Sequence, residues 1–302
     1  MKRIVVVVNE GSGHGNDEAL AERVRGLFQA AGAAVEVILA RGSEVGARAE
    51  RAVAQQADVV VAGGGDGTVS AVAAVLAGSE TALGVLPLGT LNHFAKDLGL
   101  PLALDEAVAS IVAGRTSHID VGEVNGRVFI NNSSLGLYPD IVRERERQQR
   151  RIGRGKWPAL VWAGVSALRR YPFLNVRIFA LGREHLRRTP FVFIGNNEYR
   201  MEGFAIGERN GLAGGCLSLY TAQRPGRLRL VQLAIRALVG RLRQARDFDI
   251  VLAAEIIVES RHHRLRVASD GEVTYMTPPL RYRIRPASLI VIGTDKPRRP
   301  HS

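Results

Sequence analysis

Short apolar runs and segments with helical spacing alternate through the first third of the chain. In the segment that begins near Asp17, the apolar residues Leu20, Val24 and Phe28 recur on one helical face until Gly32. Strands without polar positions are typical of a parallel sheet that is covered on both faces. The alternation therefore predicts an α/β domain with a parallel sheet. Its predicted strands cover residues 2–8, 35–39, 59–62 and 83–86.

The pattern changes after about Asp120, where short segments alternate between apolar and polar positions. Such alternation predicts antiparallel strands, which cover residues 127–131, 175–180, 190–194, 216–221, 249–258, 264–268 and 280–285. Two helical patterns interrupt them at 157–170 and 226–246, and the last apolar run, 289–292, returns to the first domain. The predicted domains are therefore 1–121, with about 288–302 returning to it, and 122–287.

Three of the predicted parallel strands end in loops that combine glycine with a hydroxyl residue. These loops are Asn9-Glu10-Gly11-Ser12-Gly13, Gly63-Gly64-Gly65-Asp66-Gly67-Thr68 and Gly89-Thr90. In a parallel sheet the three strand ends meet at one edge, where α/β sheets bind ligands. Glycine lets the backbone approach an anion, and a helix N-terminus attracts phosphate. Together the loops indicate a nucleotide site, whereas any one alone is also typical of a strand–helix turn without a ligand.

The formal net charge of +12 is unevenly distributed along the chain. Residues 1–121 hold 9 Lys/Arg and 14 Asp/Glu, whereas residues 122–302 hold 32 and 15. A basic second half suits an anionic membrane surface or nucleic acid. The lone Cys216 excludes an internal disulfide. The apolar run at 4–8 is too short for a signal peptide and no run reaches membrane-spanning length, which predicts a cytoplasmic protein.

Several motifs occur in the order found in one known family. Gly64-Gly65-Asp66-Gly67-Thr68, Pro87-Leu88-Gly89-Thr90-Leu91-Asn92 and Asp270-Gly271-Glu272 resemble the diacylglycerol kinase catalytic family, which includes sphingosine kinases and soluble bacterial lipid kinases. Asn9-x-x-Ser12-Gly13 resembles its first nucleotide loop, and Ile119-Asp120-Val121-Gly122 resembles its domain junction. The resemblance covers nearly the whole chain. It implies an α/β nucleotide-binding domain, an antiparallel β-sandwich C-terminal domain, and catalysis in the cleft between them.

The resemblance also implies transfer of a phosphoryl group from ATP to a lipid hydroxyl. ATP requires Mg²⁺, and Asp66 is the candidate to reach this ion directly or through water. Asp270 and Glu272 fall on the acidic motif that supplies the general base, and Asp120 falls on a position linked to charge networks. The residues that would contact ATP are Asn9, Gly11, Ser12, Gly13, Gly64, Gly65, Asp66, Gly67, Thr68, Thr90 and Asn92.

The spacing of the acidic motif leaves the choice of base open. Residues two apart on a strand point the same way, but Gly271 indicates a turn, and in isolation the triplet predicts a hairpin turn. Two positions depart from the family pattern. Ser70-Ala71 stands where the family often has Asn-Glu, and Gly214 replaces the Asp of a structural magnesium site in many bacterial members. We therefore expect this second metal site to be missing or rebuilt.

The sequence thus predicts an ATP-dependent kinase for diacylglycerol or a similar membrane lipid. An NAD kinase-like small-molecule kinase, and a nucleotide- or lipid-binding protein without turnover, remain alternatives. A nucleic-acid partner is not expected, because no known binding module is present. Arg229, Arg236 and Arg243 recur every seven residues in the second helical segment and form either a solvated face or a contact for anionic lipids. We expect peripheral membrane association, and the oligomeric state stays open, a homodimer included.

Overall fold

Parallel strands and covering helices form the first part of the molecule. The computed structural model describes residues 2–12, 17–136, 173–202, 205–209, 211–222 and 248–293. The helical segments predicted at 157–170 and 226–246, and Gly13 of the first glycine loop, lie outside these residues. The elements of the first part are β1 (Ile4–Asn9), α1 (Asp17–Ala30), β2 (Val35–Ala40), α2 (Val45–Ala54), β3 (Val59–Gly64), α3 (Asp66–Leu76), β4 (Ala82–Pro87), α4 (His93–Asp97) and α5 (Leu104–Ala113).

The order β2-β1-β3-β4 is parallel throughout, and its strands β1, β3 and β4 are buried on both faces. Along β1, Val5 and Val7 join the core beneath α2 and α3, whereas Val6 and Val8 join the core beneath α1 and α5. Because successive side chains of a strand point to opposite faces, a run of valines fills both cores. The prediction of a parallel sheet covered on both faces is confirmed.

Antiparallel strands form the second part. They are β5 (Thr116–Val124), β6 (Arg127–Phe129), β7 (Asn132–Gly136), β8 (Leu174–Ala180), β9 (Arg183–Thr189), β10 (Phe191–Asn196), β11 (Tyr199–Glu202), β12 (Ala205–Arg209), β13 (Leu217–Ala222), β14 (Phe248–Ala253), β15 (Glu255–Ser260), β16 (Leu265–Ser269), β17 (Glu272–Met276) and β18 (Leu280–Ile292). Six of them form a second sheet in the order β14-β13-β10-β7-β16-β17. A third core, which includes Leu135, Ile194 and Ile256, lies between this sheet and the extension of the first. The predicted antiparallel sandwich is confirmed.

The first sheet continues across both parts of the molecule. After β4 it runs through β18, β15 and β8 to β9, and β5 pairs with β18. β18 is parallel to β4 at Val291–Leu83 and antiparallel to β5 and β15. The domain boundaries predicted near 121 and 288 therefore fall inside β5 and β18, in a ten-stranded sheet that both parts share.

Two predicted strands have different limits in the structure. The runs 280–285 and 289–292 belong to one strand, β18, whose register shifts at a bulge between Arg285 and Leu289 where Ala287 has φ +49°. Conversely, 249–258 divides at Ala254 into β14 and β15, which lie in different sheets. A bulge interrupts the alternation of a continuous strand, whereas a sheet-switching bend leaves it intact, so the pattern misplaces both limits.

Within the described residues, no helix is long and apolar enough to cross a membrane.

Candidate functional site

The loops after β3 and β4 touch through their glycines. A Cβ on Gly89 would overlap the Cα of Gly65, and a Cβ on Gly64 would overlap the Thr68 side chain. The Leu88 N–H donates to the Gly64 carbonyl at 3.1 Å, which joins the two strand ends. Because side chains larger than hydrogen do not fit, the glycines are required for the contact itself. The prediction that these loops meet at one sheet edge is confirmed by this geometry.

The N-terminus of α3 is open at this contact. Gly65 is the N-cap with extended backbone and offers no side-chain acceptor to the first turn. Space is free around the Cβ position of exposed Gly67. The first N–H groups of a helix lack intrahelical partners and carry a partial positive charge. This end of α3 therefore has the form and polarity of a phosphate site.

Asp66 joins α3 to α4. Its Oδ1 accepts a hydrogen bond from the Phe94 N–H at 3.1 Å, in the first turn of α4. The residue is partly exposed beside the glycine contact. Its carboxylate is thus fixed in place at the edge of the predicted nucleotide site, within reach of solvent.

Asn92 and Thr68 support the loops from inside. The Asn92 Oδ1 accepts from the Gly89 N–H at 3.1 Å, and its Nδ2 donates to the Pro87 and Gly89 carbonyls at 3.1 and 2.8 Å. Thr68 is buried against Gly64. Both were predicted to contact ATP, and the structure places them where they shape the backbone. Thr90 is exposed on the loop.

The first glycine loop begins at the end of β1, next to β3. The Asn9 carbonyl accepts from the Ser12 N–H at 3.1 Å and from the Ser12 hydroxyl, which closes a turn. Gly11 has φ +75°, and its N–H donates to Asp17 Oδ1 at 3.1 Å. The turn places Ser12 at the same sheet edge as Gly64, because β1 and β3 are adjacent and parallel.

Asp270 lies in the two-residue turn between β16 and β17. Asp270 and Gly271 have φ +49° and +86°, the pair of positive values that a tight hairpin turn requires. The Asp270 carboxylate accepts N–H bonds from Ile130 at 2.8 Å, Asn131 at 2.8 Å and Asn132 at 3.1 Å. The turn predicted from the triplet alone is therefore present, and its aspartate points into the molecule.

Ser70 brings α3 next to this aspartate. Burial raises the pKa of the Asp270 carboxyl above its ordinary value, while the three N–H groups and the Ser70 hydroxyl act in the opposite direction. Ser70 lies one helical turn after Asp66, and its buried oxygen makes no hydrogen bond of full geometry within the described residues. We therefore interpret its link to Asp270 as a close electrostatic contact, which places the acidic turn against the helix of the glycine loop.

Glu272 points away from this environment. Its side chain is 63% exposed and pairs with Arg127 at 2.5 Å on the edge strand β17. Arg127 also donates to Thr274 at 2.5 Å. The two acids of the motif therefore occupy different environments, one enclosed beside α3 and one in solvent.

Asp120 holds two loops through their backbone. Its carboxylate accepts from the Gly215 N–H at 2.7 Å and the Ala287 N–H at 2.9 Å. Within the described residues its carboxylate hydrogen bonds go to peptide groups, and the predicted charge network stays a prediction. The buried side chain anchors the β18 bulge and the loop at 211–216.

The loop at 211–216 contains Gly214, which replaces the aspartate of the family's structural magnesium site, and the side-chain amide of Asn197 holds this loop. The Gly214 N–H donates to Asn197 Oδ1 at 2.8 Å, and a Cβ on Gly214 would lie 2.8 Å from the same oxygen. Buried Asn197 thus occupies the space beside Gly214. In the part of the chain that the structure describes, no group of three or more His, Cys, Asp or Glu could hold a metal ion.

Arg209 is a functional candidate that the sequence did not reveal. It is 4% exposed and forms an ion pair with Asp97, with Nε donating at 2.7 Å. It also donates to the Ile130 carbonyl at 2.7 Å and to Asn131 Oδ1 at 3.0 Å. As one of 32 basic residues in the second half of the chain, it carries no local signal that separates it from surface arginines.

Two family models match the chain. Residues 3–124 match the diacylglycerol kinase catalytic domain, and residues 140–293 match the YegS C-terminal NAD kinase beta sandwich-like domain. The chain therefore belongs to the family with the YegS-type C-terminal domain, and its N-terminal part matches the diacylglycerol kinase catalytic domain. This confirms the resemblance drawn from the glycine and acidic motifs.

Curated relatives match over a shorter stretch. A probable lipid kinase YegS-like protein from Citrobacter koseri is 45% identical over 92 residues, which are 29% of this chain and 31% of that protein. A protein of the same description from Klebsiella pneumoniae is 42% identical over 98 residues, or 32% of this chain and 33% of that protein. The matches thus span about a third of the length of these relatives.

Solved structures match over nearly the full length. A putative diacylglycerol kinase from Bacillus anthracis has a TM-score of 0.76 at 22% identity and covers 97% of this chain and 98% of that one. A second structure, described as a diacylglycerol kinase from the same organism, has a TM-score of 0.71 at 20% identity over 97% of both chains. At this identity the match shows the shared fold.

Proposed function

We propose that the protein transfers the γ-phosphoryl group of ATP to a hydroxyl of a membrane lipid, diacylglycerol or a similar molecule. One observation carries the proposal: an open helix N-terminus between touching glycine loops lies on the same helix that faces an enclosed carboxylate. The first feature suits phosphate and the second suits proton removal. The match to the diacylglycerol kinase catalytic domain, and relatives described as probable lipid kinases, support the lipid acceptor.

The residues present fit ATP and Mg²⁺. A Cβ would fill the backbone cradle at Gly65 and Gly89, and the α3 N-terminus, which has no side-chain cap among the described residues, offers N–H donors of the polarity that phosphate needs. Bound Mg²⁺ neutralises charge on the phosphates and on the group in transfer. The partly exposed Asp66 would hold this ion, directly or through water, because its position is fixed by the Phe94 N–H.

Asp270 is the better candidate for the general base. Its carboxylate is enclosed beside α3, whereas Glu272 is exposed and paired with Arg127. As the acceptor hydroxyl attacks the γ-phosphorus, its proton passes to the Asp270 carboxylate. The phosphoanhydride bond between the β- and γ-phosphates breaks, and ADP leaves. A base whose pKa is raised toward the working pH accepts a proton more effectively than an ordinary aspartate.

A second candidate function follows from the C-terminal match. That model is described as NAD kinase beta sandwich-like, so a small-molecule hydroxyl such as that of NAD is the alternative acceptor. The same phosphate site and base would serve either acceptor. The acceptor must therefore be identified by offering each candidate molecule to the protein separately.

The test is phosphorylation by purified protein with γ-labelled ATP and Mg²⁺. Separate reactions receive diacylglycerol, a sphingoid base, phosphatidylglycerol, a polyprenol and NAD, with Asp270→Asn as the matched control. Label in one of the lipids that requires Asp270 supports the proposal. Label in NAD alone identifies the small-molecule alternative, and ATP binding without label in any acceptor identifies a binding protein.

A further inference from the structure

A buried arginine connects the two acidic positions of the proposed site. Arg209 contacts Asp97 at the end of α4 and lies over the Phe94 ring, with 6.0 Å between its Cζ and the ring centroid. On its other side it donates to the Ile130 carbonyl and to the Asn131 side chain. It therefore bridges the nucleotide part of the molecule to the segment between β6 and β7.

Both ends of this bridge reach a proposed functional carboxylate in one further step. Phe94, which packs against Arg209, donates its N–H to Asp66. Ile130 and Asn131, which accept from Arg209, donate their N–H groups to Asp270. A guanidinium with a rigid planar set of donors fixes such a geometry more strictly than an ammonium group can.

Burying a cation here is costly unless it is fully paired. Burial lowers the pKa of Arg209, but Tyr199, Asp97 and Asp270 favour the charged form, and the net pKa lies above the ordinary value. Asp97 from α4 pairs with the arginine, and the Tyr199 ring of β11 lies 5.6 Å from its Cζ. Asp270 from the β16–β17 turn, which is bound to the same residues 130 and 131, acts on it electrostatically. One of its two carboxylate neighbours is thus the proposed base.

We propose that Arg209 is a positioning residue for phosphoryl transfer, which locks α4 and Asp66 to the segment that holds Asp270 and stabilises Asp270 as the carboxylate. The inference rests on the proposed function, in which Asp270 accepts the proton. It adds an electrostatic role to a residue outside the glycine and acidic motifs. Arg209 need not touch ATP or the lipid.

The test compares Arg209→Met and Arg209→Lys with wild type in the phosphorylation assay. For Arg209→Met we expect kcat to fall by about 100-fold, because Asp66 and Asp270 lose their alignment. The Kd for ATP should stay within about threefold of wild type, because the glycine loops that would bind ATP are unchanged. The acid limb of the kcat/KM pH profile should move to higher pH, since Asp270 loses a neighbouring cation. Arg209→Lys should restore the position of this limb and part of kcat.

Arg127→Met is the matched control, because it removes an arginine from the exposed Glu272 of the same motif. Its acid limb should coincide with wild type. If Arg209→Met loses activity only in proportion to its loss of folded protein, with an unmoved acid limb, the arginine is structural and the proposal is wrong. If Arg209→Met does not fold, kcat and the acid limb of the pH profile are measured in Arg209→Lys and Asp97→Asn instead. An unmoved acid limb in Asp97→Asn, together with full kcat in Arg209→Lys, would overturn the proposal.

A measurement independent of turnover separates the inference from the proposed function. Carboxyl ¹³C NMR titration gives the pKa of Asp270 directly in the full chain. We expect this pKa to be higher in Arg209→Met, or in Arg209→Asn as a second folded variant, than in wild type, even if no offered lipid is phosphorylated. Absence of label in wild type contradicts the proposed function, whereas an unshifted Asp270 pKa contradicts the role of Arg209.

Discussion

Asp270 owes its inward direction to a turn and not to a strand. Both turn residues have positive φ, which Gly271 adopts freely and which aspartate tolerates better than most residues. The turn ends the alternation of β16, so that Asp270 reaches three backbone N–H groups while Glu272 begins the exposed edge strand β17. Two carboxylates separated by a single residue therefore lie in different environments, Asp270 enclosed and Glu272 in solvent.

This difference predicts unequal losses on removing each charge. Asp270→Asn should lower kcat by about 100-fold or more, the usual contribution of a general base, and leave ATP affinity nearly unchanged. Glu272→Gln should retain most activity, because an exposed ion pair contributes little. Steady-state kinetics and ATP titration measure both. A larger loss in Glu272→Gln than in Asp270→Asn would reverse the assignment.

The pH dependence has a defined direction. Asp270 must be unprotonated to accept the hydroxyl proton, so activity is lost as the pH falls through its pKa. Because burial raises this pKa, the loss should begin at a higher pH than for an ordinary aspartate. The kcat/KM profile of wild type shows the acid limb, and a limb at or below the ordinary range of aspartate would contradict the enclosed environment.

The sequence motifs predicted the site residues that lie in local backbone turns. They missed Arg209, whose proposed role depends on contacts with segments distant in sequence. Asp66 and Gly65 lie at a strand–helix junction, which local sequence specifies. Arg209 acquires its partners from α4 and from the segment at 130–131, more than seventy residues away in sequence. The spacing around Arg209 contains no trace of these contacts, so its burial was not predictable.

At the scale of elements, glycine has two separate uses in the loops around α3. Gly89 is needed for the contact with Gly65, whereas the Cβ position on Gly67 has no neighbour within 4 Å from outside its own helix among the described residues. The first is a requirement of packing, and the second is a requirement only if a ligand approaches. This distinction allows folding and binding to be tested separately.

Gly67→Ala should leave the fold intact and weaken ATP binding. Alanine in place of a helical glycine stabilises by about 0.5–1 kcal/mol, so Tm should be unchanged or slightly higher. A methyl group at this position would obstruct a phosphate at the α3 N-terminus, and we expect ATP affinity to fall by about tenfold or more. Gly89→Ala is the contrasting control and should lower Tm. Wild-type ATP affinity in a folded Gly67→Ala would exclude phosphate from this end of α3.

The loop at 211–216 gives a prediction about the lost metal position. Gly214→Asp should destabilise the protein by about 1–3 kcal/mol, because its side chain would meet Asn197. Gly211→Asp is the matched control, since no atom of the described residues lies within 4 Å of the Cβ position on Gly211. The free energy of unfolding in urea, with and without Mg²⁺, measures both. A Gly214→Asp variant that Mg²⁺ makes more stable than wild type would show that the position can still form a metal site.

Two of the strands that the pattern missed carry charge on their exposed side. β9 contains Arg183, Arg187 and Arg188, and β17 begins at exposed Glu272; each lies at the edge of its sheet. Edge strands tolerate charge because one side faces solvent, and charge there also discourages pairing with other chains. Apolar periodicity finds central strands such as β1 and β3, and it has little signal for edges.

At the scale of the molecule, the shared ten-stranded sheet explains how a late sequence motif reaches an early loop. β18 lies between β4 and β15 and also pairs with β5, so the last strand joins the antiparallel part of this sheet to its parallel part. Asp270 then comes within electrostatic reach of Ser70 on α3, two hundred residues earlier in the chain. The sequence predicted the two classes of sheet, but not that one sheet would run through both, because strand order depends on pairing between distant segments.

The uneven charge leads to a prediction about membranes. A lipid acceptor requires the protein to reach a bilayer, and the basic second half is suited to anionic headgroups. Arg229, Arg236 and Arg243, which lie outside the described residues, are the predicted contact. We expect binding to anionic vesicles that falls steeply with salt and is absent on neutral vesicles, because counterions screen such attraction.

Replacing the three arginines with Gln should weaken binding by roughly 100-fold, since each cation contributes about 1 kcal/mol at an anionic surface. A charge-matched control replaces Arg183, Arg261 and Arg264, which are exposed on β9 and on the β15–β16 turn. Equal losses in a vesicle co-sedimentation assay would mean that net charge alone acts, and no loss from the first triple would show that this helical face is only solvated.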